Sequence, residues 1–419
     1  MKIAILGAGL TGLELGRRLH LLGIDFIIFE KENCIGGLAK TIKTNGYSWD
    51  YGVHAMYSKD GSITNYYNHL PIDLQRHVRR TKILHKGRFI SYPFENGIGE
   101  LPPKDRLECI TGYLKPHRRR KYSDLQDWID NRLGYGISKH FMKPYNQKIW
   151  NCSLSEISTD LVSGKIDPMS LPSFILSVLG RKTIGREYQS NFIYPKAGIQ
   201  GFINYTADCI QDRIRINSGI RNLGYKKKQW FVNGIKFDRI ISTIPLPELL
   251  KLLDLPKIQK EYKKFKWNDT FFVMVGLKEG KRFGKFHDLH WAFFKENEIF
   301  YRLTFMHNFS ENFPPAVVAE VTDRGMNSVK EFVIYDLLNK KVIESGGDIS
   351  AVTCQRIQYT YPIPTLNADT LVGEIEKELQ NYNLHLLGRS GRWRYINMDD
   401  VIKEVDEYAS KNFGNNRGN

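Results

Sequence analysis

Seven residues near the N-terminus, Gly7-Ala8-Gly9-Leu10-Thr11-Gly12 and Glu30, have the types and spacing to hold a dinucleotide. Gly7 would make a tight turn, Gly9 would let a pyrophosphate approach the backbone, and Gly12 would let a helix pack closely on a strand. Leu10 and Thr11 would open that helix against the phosphates. Glu30, followed by Lys31, would stand at the end of the next strand, where a carboxylate can accept hydrogen bonds from a ribose.

The flanking residues supply the elements this chemistry needs. Ile3 to Leu6 is a continuous apolar run, the pattern of a strand buried on both faces. Leu13, Gly16, Leu19 and Leu22 recur at helical spacing, and Asp25 to Glu30 reads as a second parallel strand. Together they form a βαβ unit. A second glycine pair follows in Gly36-Gly37-Leu38, which resembles the two-dinucleotide-binding FAD flavoproteins more than the NAD dehydrogenases. FAD is therefore the expected cofactor, with Gly37 and Leu38 among its contacts. Tyr47 to His54 resembles the segment of those proteins that runs beneath the isoalloxazine ring, and His54 is its polar tip.

At 419 residues, with 42% hydrophobic and 25% charged residues, the chain is globular and long enough for two or three domains. No segment approaches the roughly 20 uninterrupted apolar residues of a membrane span. The apolar start imitates a signal peptide, but Gly7, Gly9, Gly12 and Glu14 break it too early. The 5 cysteines are scattered, without the spacing of a zinc site or a disulfide framework, so a reducing cytoplasm and no metal are expected. The net charge of +16 favours anionic partners. Basic clusters at 117–121, 226–228 and 257–266 read as solvated faces, with peripheral contact to an anionic membrane as the alternative. No nucleic-acid motif accompanies them.

Residues 96–190 are largely helical in pattern, opening one helix at Ser123-Asp124-Leu125-Gln126, whereas 268–335 alternates as antiparallel strands do. The dinucleotide-binding pattern returns at Phe237 to Thr243 and at Leu384 to Gly388. These shifts predict an α/β protein with a discontinuous Rossmann-like FAD-binding domain (1–60, 190–243 and 365–419). The helical stretch (96–189) and the strands of 61–95 and 244–364 look like separate layers beside it.

Four distant segments narrow the function. Tyr92-Pro93-Phe94-Glu95-Asn96, Phe141 to Trp150, Phe300-Tyr301-Arg302 and Gly388-Arg389 through Tyr395-Ile396-Asn397-Met398-Asp399 resemble, in order and spacing, the signature segments of UDP-galactopyranose mutases. The resemblance implies a three-domain fold, in which a helical-bundle domain (96–189) would bind the nucleotide and a twisted antiparallel β-sheet domain (61–95 and 244–364) would complete the substrate site. It also implies an isomerase that interconverts the six- and five-membered ring forms of a nucleotide-activated galactose for galactofuranose-containing glycans. Reduced FAD would act through N5 as nucleophile at the anomeric carbon, armed by an external electron donor.

By the same resemblance Arg302 and Lys165 would face the diphosphate, Tyr92 and Tyr395 would hold it by their hydroxyls, and His54, Arg389, Met398 and Asp399 would meet the flavin. Phe141, Tyr145 and Trp150 would receive the base, and Phe94, Glu95, Asn146, Phe293, Tyr301 and Asn397 would also bind the substrate. Tyr361-Pro362-Ile363-Pro364-Thr365 would approach the flavin. The chain departs from the pattern at Lys165 (Arg in the family), Phe293 (Tyr), Glu95 (Gln) and Asn397 (Asp in bacterial members). Glu95 cannot donate the hydrogen bond of a Gln, so a different base is consistent with it. Two rivals remain open: an FAD oxidase of the amine-oxidase or protoporphyrinogen-oxidase type, and a catalytically inactive flavin-binding scaffold.

Overall fold

The computed structural model describes residues 1–115, 121–162, 170–181 and 190–414. The strand Lys2–Leu6 lies at the centre of a five-stranded parallel sheet. Its neighbours are Asp25–Phe29 and Arg239–Ser242, with Ile214–Arg215 and Leu384–Leu386 outermost. The chain thus leaves this sheet after Phe29 and after Ser242 and returns to it each time. Ile3, Ala4, Ile5 and Leu6 are all wholly buried, as a strand covered on both faces requires. The helix Leu10–Leu21 covers one face, and the C-terminal helix Met398–Phe413 packs against it, joined by an ion pair from Arg18 to Asp406 at 2.5 Å.

A seven-stranded sheet forms the second layer, in the order Ile349–Ile363, Lys266–Leu277, Ala316–Thr322, Arg302–Phe305, Trp291–Phe294, Thr81–His85 and Arg88–Ser91. The sheet is mixed, not purely antiparallel as expected, because Trp291–Phe294 and Thr81–His85 pair in parallel. These two strands come from distant parts of the chain, so no hairpin turn forces them to oppose.

Helices Pro103–Leu114, Leu125–Trp128 and Lys143–Trp150 alternate with π-helical turns at Ile129–Leu133 and Ser138–Met142, and the last of them packs against the strand Ala316–Thr322. Asp124, rather than Ser123, caps its helix, accepting the Asp127 N–H at 2.8 Å. Pro144 is the second residue of its helix, directly after the π-helical turn Ser138–Met142. Among the described residues no helix is long and apolar enough to cross a membrane. Their cysteines are all free.

Candidate active site

A cavity of about 800 Å³ runs from the first βα turn to the mixed sheet, a volume within the range of cofactor sites. Gly7 adopts φ +99°, and a Cβ at Gly12 would lie 2.0 Å from the Gly7 carbonyl oxygen, so turn and helix require glycine at both places. Gly9 and Gly37 face each other closely enough that a Cβ on Gly37 would come within 3.2 Å of the Gly9 Cα. Leu10, Thr11, Lys31 and Leu38 line the same wall.

Glu30 accepts the Ala8 N–H at 2.8 Å and the Glu32 N–H at 2.9 Å, which ties the glycine turn to the end of the second strand. A carboxylate offers about four acceptor positions, so ribose hydroxyls can still bind. Lys31 reaches across the cavity mouth to Glu248 at 3.2 Å. Both the helix beginning at Leu10 and the helix beginning at Met398 start on the cavity wall, placing two positive helix ends toward it.

Polar side chains converge at the opposite end. His54 has a buried Nδ1 with no hydrogen-bond partner, and burial, then Arg389, then Arg302 pull its pKa down to about 3. The imidazole is therefore neutral. Arg389 donates to the carbonyls of Ile396 and Thr360 at 3.1 Å each, lies over the Tyr395 ring at 4.6 Å, and keeps a buried Nε without a partner. Unpartnered nitrogens on His54 and Arg389, with the glycine cradle, match what a flavin dinucleotide presents: polar ring edges at one end and a pyrophosphate near the other.

Arg302 lines this end and forms a bidentate pair with Glu320, two bonds of 2.6 Å. Its Nη2 also lies 3.4 Å from the Tyr361 hydroxyl. Burial raises the Tyr361 pKa to about 12, so the phenol stays protonated. Arg79 enters from the other side, stacked 4.4 Å from the Tyr92 ring and 5.0 Å from the Trp291 ring. Its Nε donates to Thr81 at 3.0 Å, and among the described residues it has no carboxylate partner.

An aromatic row leads away from Arg79. Tyr92 stacks on Phe293 at 5.0 Å, Phe293 meets the edge of Tyr145 at 5.5 Å, Tyr145 stacks on Phe141 at 4.9 Å, and Phe141 on Phe94 at 5.2 Å. The rings fill one another's faces and leave no slot between them for a base. Asn146 spends both side-chain ends internally, donating to Met142 O at 2.8 Å and accepting from the Trp150 indole at 3.1 Å. Trp150 in turn packs on Tyr361 and Tyr395 at 6.0 and 5.8 Å.

Of the residues expected at the site, Gly7, Gly9, Leu10, Thr11, Glu30, Lys31, Gly37, Leu38, His54, Phe293, Arg302, Arg389, Tyr395, Asn397 and Met398 line one cavity. Gly12 stands behind it. Tyr92, Phe94, Glu95, Phe141, Tyr145, Asn146 and Trp150 do not line it, because they belong to the aromatic row and its surroundings. Tyr301 is turned away as a buttress: its hydroxyl donates to Glu320 at 3.0 Å. Asp399 points toward Ser58, behind the cavity wall. Asn397 caps the C-terminal helix through a reciprocal capping box with Asp400. Lys165 lies outside the described residues.

Sequence reasoning missed Arg79, Trp291 and Glu320. Glu320 had a signal, since it is the single charge in the apolar run Ala316–Thr322. Arg79 had none, being one of a pair of arginines with no motif around it.

Residues 5–70 match the NAD(P)-binding Rossmann-like domain family. The chain is 27% identical over 155 residues to mitochondrial protoporphyrinogen oxidase of Nicotiana tabacum, covering 34% of this chain and 29% of that protein. A 4,4'-diapophytoene desaturase of Staphylococcus aureus is 44% identical over 52 residues, 12% of this chain and 10% of that protein. The chain thus aligns with under a third of these curated relatives. A crystal structure of reduced UDP-galactopyranose mutase superposes with a TM-score of 0.91 at 25% identity, over 99% of this chain and 94% of that one. A putative protoporphyrinogen oxidase from Exiguobacterium sp. 255-15 shares the fold at 0.76 and 15% identity, over 98% of both chains. The glycine cradle, the polar flavin end and these likenesses make the chain an FAD-binding flavoenzyme with the fold of UDP-galactopyranose mutase.

Proposed function

We propose that the chain interconverts the pyranose and furanose forms of a nucleotide-activated sugar, with UDP-galactose as the default substrate. The observation that carries this reading is the likeness to reduced UDP-galactopyranose mutase over 99% of the chain. Bound FAD, in its reduced form, would supply the nucleophile for the anomeric carbon and keep its electrons from one turnover to the next.

The chain's own residues supply the rest. A nucleoside diphosphate leaving an anomeric carbon develops negative charge, which fixed cations stabilise best where water is scarce. Arg302 offers an oriented guanidinium, held by Glu320, and Arg79 offers one whose charge no carboxylate of the described residues offsets. Arg79 lines the cavity, held against the Tyr92 and Trp291 rings, so a phosphate there would meet an oriented cation. The protonated Tyr361 hydroxyl and Tyr395 line the wall between Arg302 and Arg389. Neutral His54 can donate or accept a hydrogen bond at the flavin without adding charge. Because the aromatic row is closed, the base would stack on its outer surface rather than between its rings.

The test is to reduce the FAD-loaded protein anaerobically with dithionite, incubate it with a panel of nucleotide-activated pyranoses and furanoses, and separate the products by chromatography. Ring-form exchange of at least one pair supports the proposal. Failure of every pair with flavin verified as reduced rejects it. An oxidase reading is favoured by one observation, the sequence relatives named as protoporphyrinogen oxidases. Such an enzyme has no evident need for cations opposite the flavin, so its turnover would survive neutralisation of Arg302.

A further inference from the structure

His85, Asp105 and His140 are all buried, and their metal-ligating atoms lie within 4.8 Å of one another, outside the flavin cavity. We propose that these three side chains, completed by Glu108, bind a zinc ion that pins the helical layer to the edge of the mixed sheet. The proposal is independent of the reaction assigned above.

The ligands come from three elements. His85 ends the strand Thr81–His85, Asp105 and Glu108 sit one turn apart on the helix Pro103–Leu114, and His140 lies in the π-helical turn Ser138–Met142. A close backbone approach fixes their relation: a Cβ on Gly136 would fall 2.3 Å from the Cys109 Cα, so the segment leading to His140 presses directly on the helix that carries both acids. The cluster is thus set by main-chain packing rather than by flexible stems.

The spacing suits a tetrahedral ion. His85 Nε2 is 2.8 Å from Asp105 Oδ2, while His140 Nε2 is 3.8 Å from Asp105 Oδ1 and 2.9 Å from Glu108 Oε2. Zinc bonds of about 2.0–2.1 Å place neighbouring donor atoms about 3.3 Å apart, which the His85–Asp105 and His140–Asp105 separations bracket, while Glu108, bonded now to His140, would swing in as the fourth ligand. Two imidazoles and two carboxylates also match zinc in softness and charge, each imidazole binding through Nε2 with its proton on Nδ1. His85 Nε2 is already aimed at Asp105, 2.8 Å away.

Two lysines hold the carboxylates now: Lys86 Nζ is 2.7 Å from Asp105, and Lys139 Nζ is 2.7 Å from Glu108. Their side chains are 56% and 45% exposed, so both can withdraw along their stems into water as the ion arrives. The ring of His85 packs 6.1 Å from Phe94, and Phe94 stacks on Phe141, so the ion would stiffen the closed end of the aromatic row.

The FAD-loaded protein is stripped with a chelator, dialysed, and equilibrated with Zn²⁺ alone, and bound metal is measured by elemental analysis. One zinc per chain, a thermal midpoint that rises with zinc, and loss of both in His140→Gln but not in the exposed control His69→Gln support the site. Equal zinc binding by wild type and His140→Gln, or none by wild type, overturns it. Should His140→Gln not fold, Co²⁺ added to the stripped wild type decides. The visible bands of four-coordinate cobalt support the cluster, and their absence rejects it.

Discussion

Arg302 and Glu320 are register partners on adjacent antiparallel strands, and the arginine grips both carboxylate oxygens at 2.6 Å. Glu320 is wholly buried and also accepts the Tyr301 hydroxyl, so the pair is a preset guanidinium at the flavin end of the cavity rather than a surface ion pair. Gly52 packs against it: a Cβ there would come within 3.1 Å of Arg302 Nη2.

Breaking this pair has two consequences. Arg302→Ala leaves Glu320 buried and unpaired, which should destabilise the protein by about 3–5 kcal/mol, and it should reduce turnover by orders of magnitude. Arg302→Lys should recover only part of each because the fork is gone. Urea unfolding and steady-state kinetics on the same samples check both effects. Turnover within about twofold of wild type in Arg302→Ala would remove this residue from the mechanism.

Arg79 should behave differently. It carries no buried carboxylate partner among the described residues, so Arg79→Ala should cost little stability while weakening nucleoside diphosphate binding by about tenfold or more. The effect should fall on KM more than on kcat. Titration of the folded variant with UDP, followed by calorimetry, reads it directly, and unchanged affinity would detach Arg79 from the diphosphate.

The cofactor cradle was legible in the sequence because each of its residues is demanded locally: Gly7, Gly12 and Glu30 follow from the geometry of one βα turn. The mixed sheet was less so. The parallel pairing of Thr81–His85 with Trp291–Phe294 joins segments some 200 residues apart, and no periodicity reports such a pairing. The aromatic residues at 94, 141 and 145 were legible as a group, but their spacing could not tell a base-binding face from rings packed on one another. Tyr301 and Arg302 are neighbours in sequence and both bond Glu320, yet only Arg302 reaches the cavity wall.

Gly9→Leu should empty the cofactor site. A side chain there would enter the space between Gly9 and Gly37, where the pyrophosphate must approach. The purified variant should lose its flavin absorbance per chain while keeping its far-ultraviolet circular dichroism. Full FAD content would refute the placement of the cradle.

Asp50 should leave a pH signature. It is wholly buried, accepts hydrogen bonds from Thr41 at 2.8 Å and Tyr194 at 2.7 Å, and is also bonded to the backbone of His54. Burial raises its pKa from 3.8 to about 7. The folded state therefore binds a proton that the unfolded chain has already released across that window, and stability should fall as pH rises from about 4 to 7. Asp50→Asn should flatten this slope. Denaturation midpoints across pH for both proteins test it, and parallel profiles would contradict the assignment.

The most direct measurement of the central claim counts products per electron. The FAD-loaded protein is reduced anaerobically with one equivalent of dithionite, excess reductant is removed, and an active nucleotide-sugar pair from the panel is supplied while the flavin spectrum is recorded. Substrate and product share one oxidation state, so many turnovers should follow a single reduction, the flavin should remain reduced throughout, and oxidised protein should be inactive. One product per reducing equivalent, or full activity with oxidised flavin, would contradict the account.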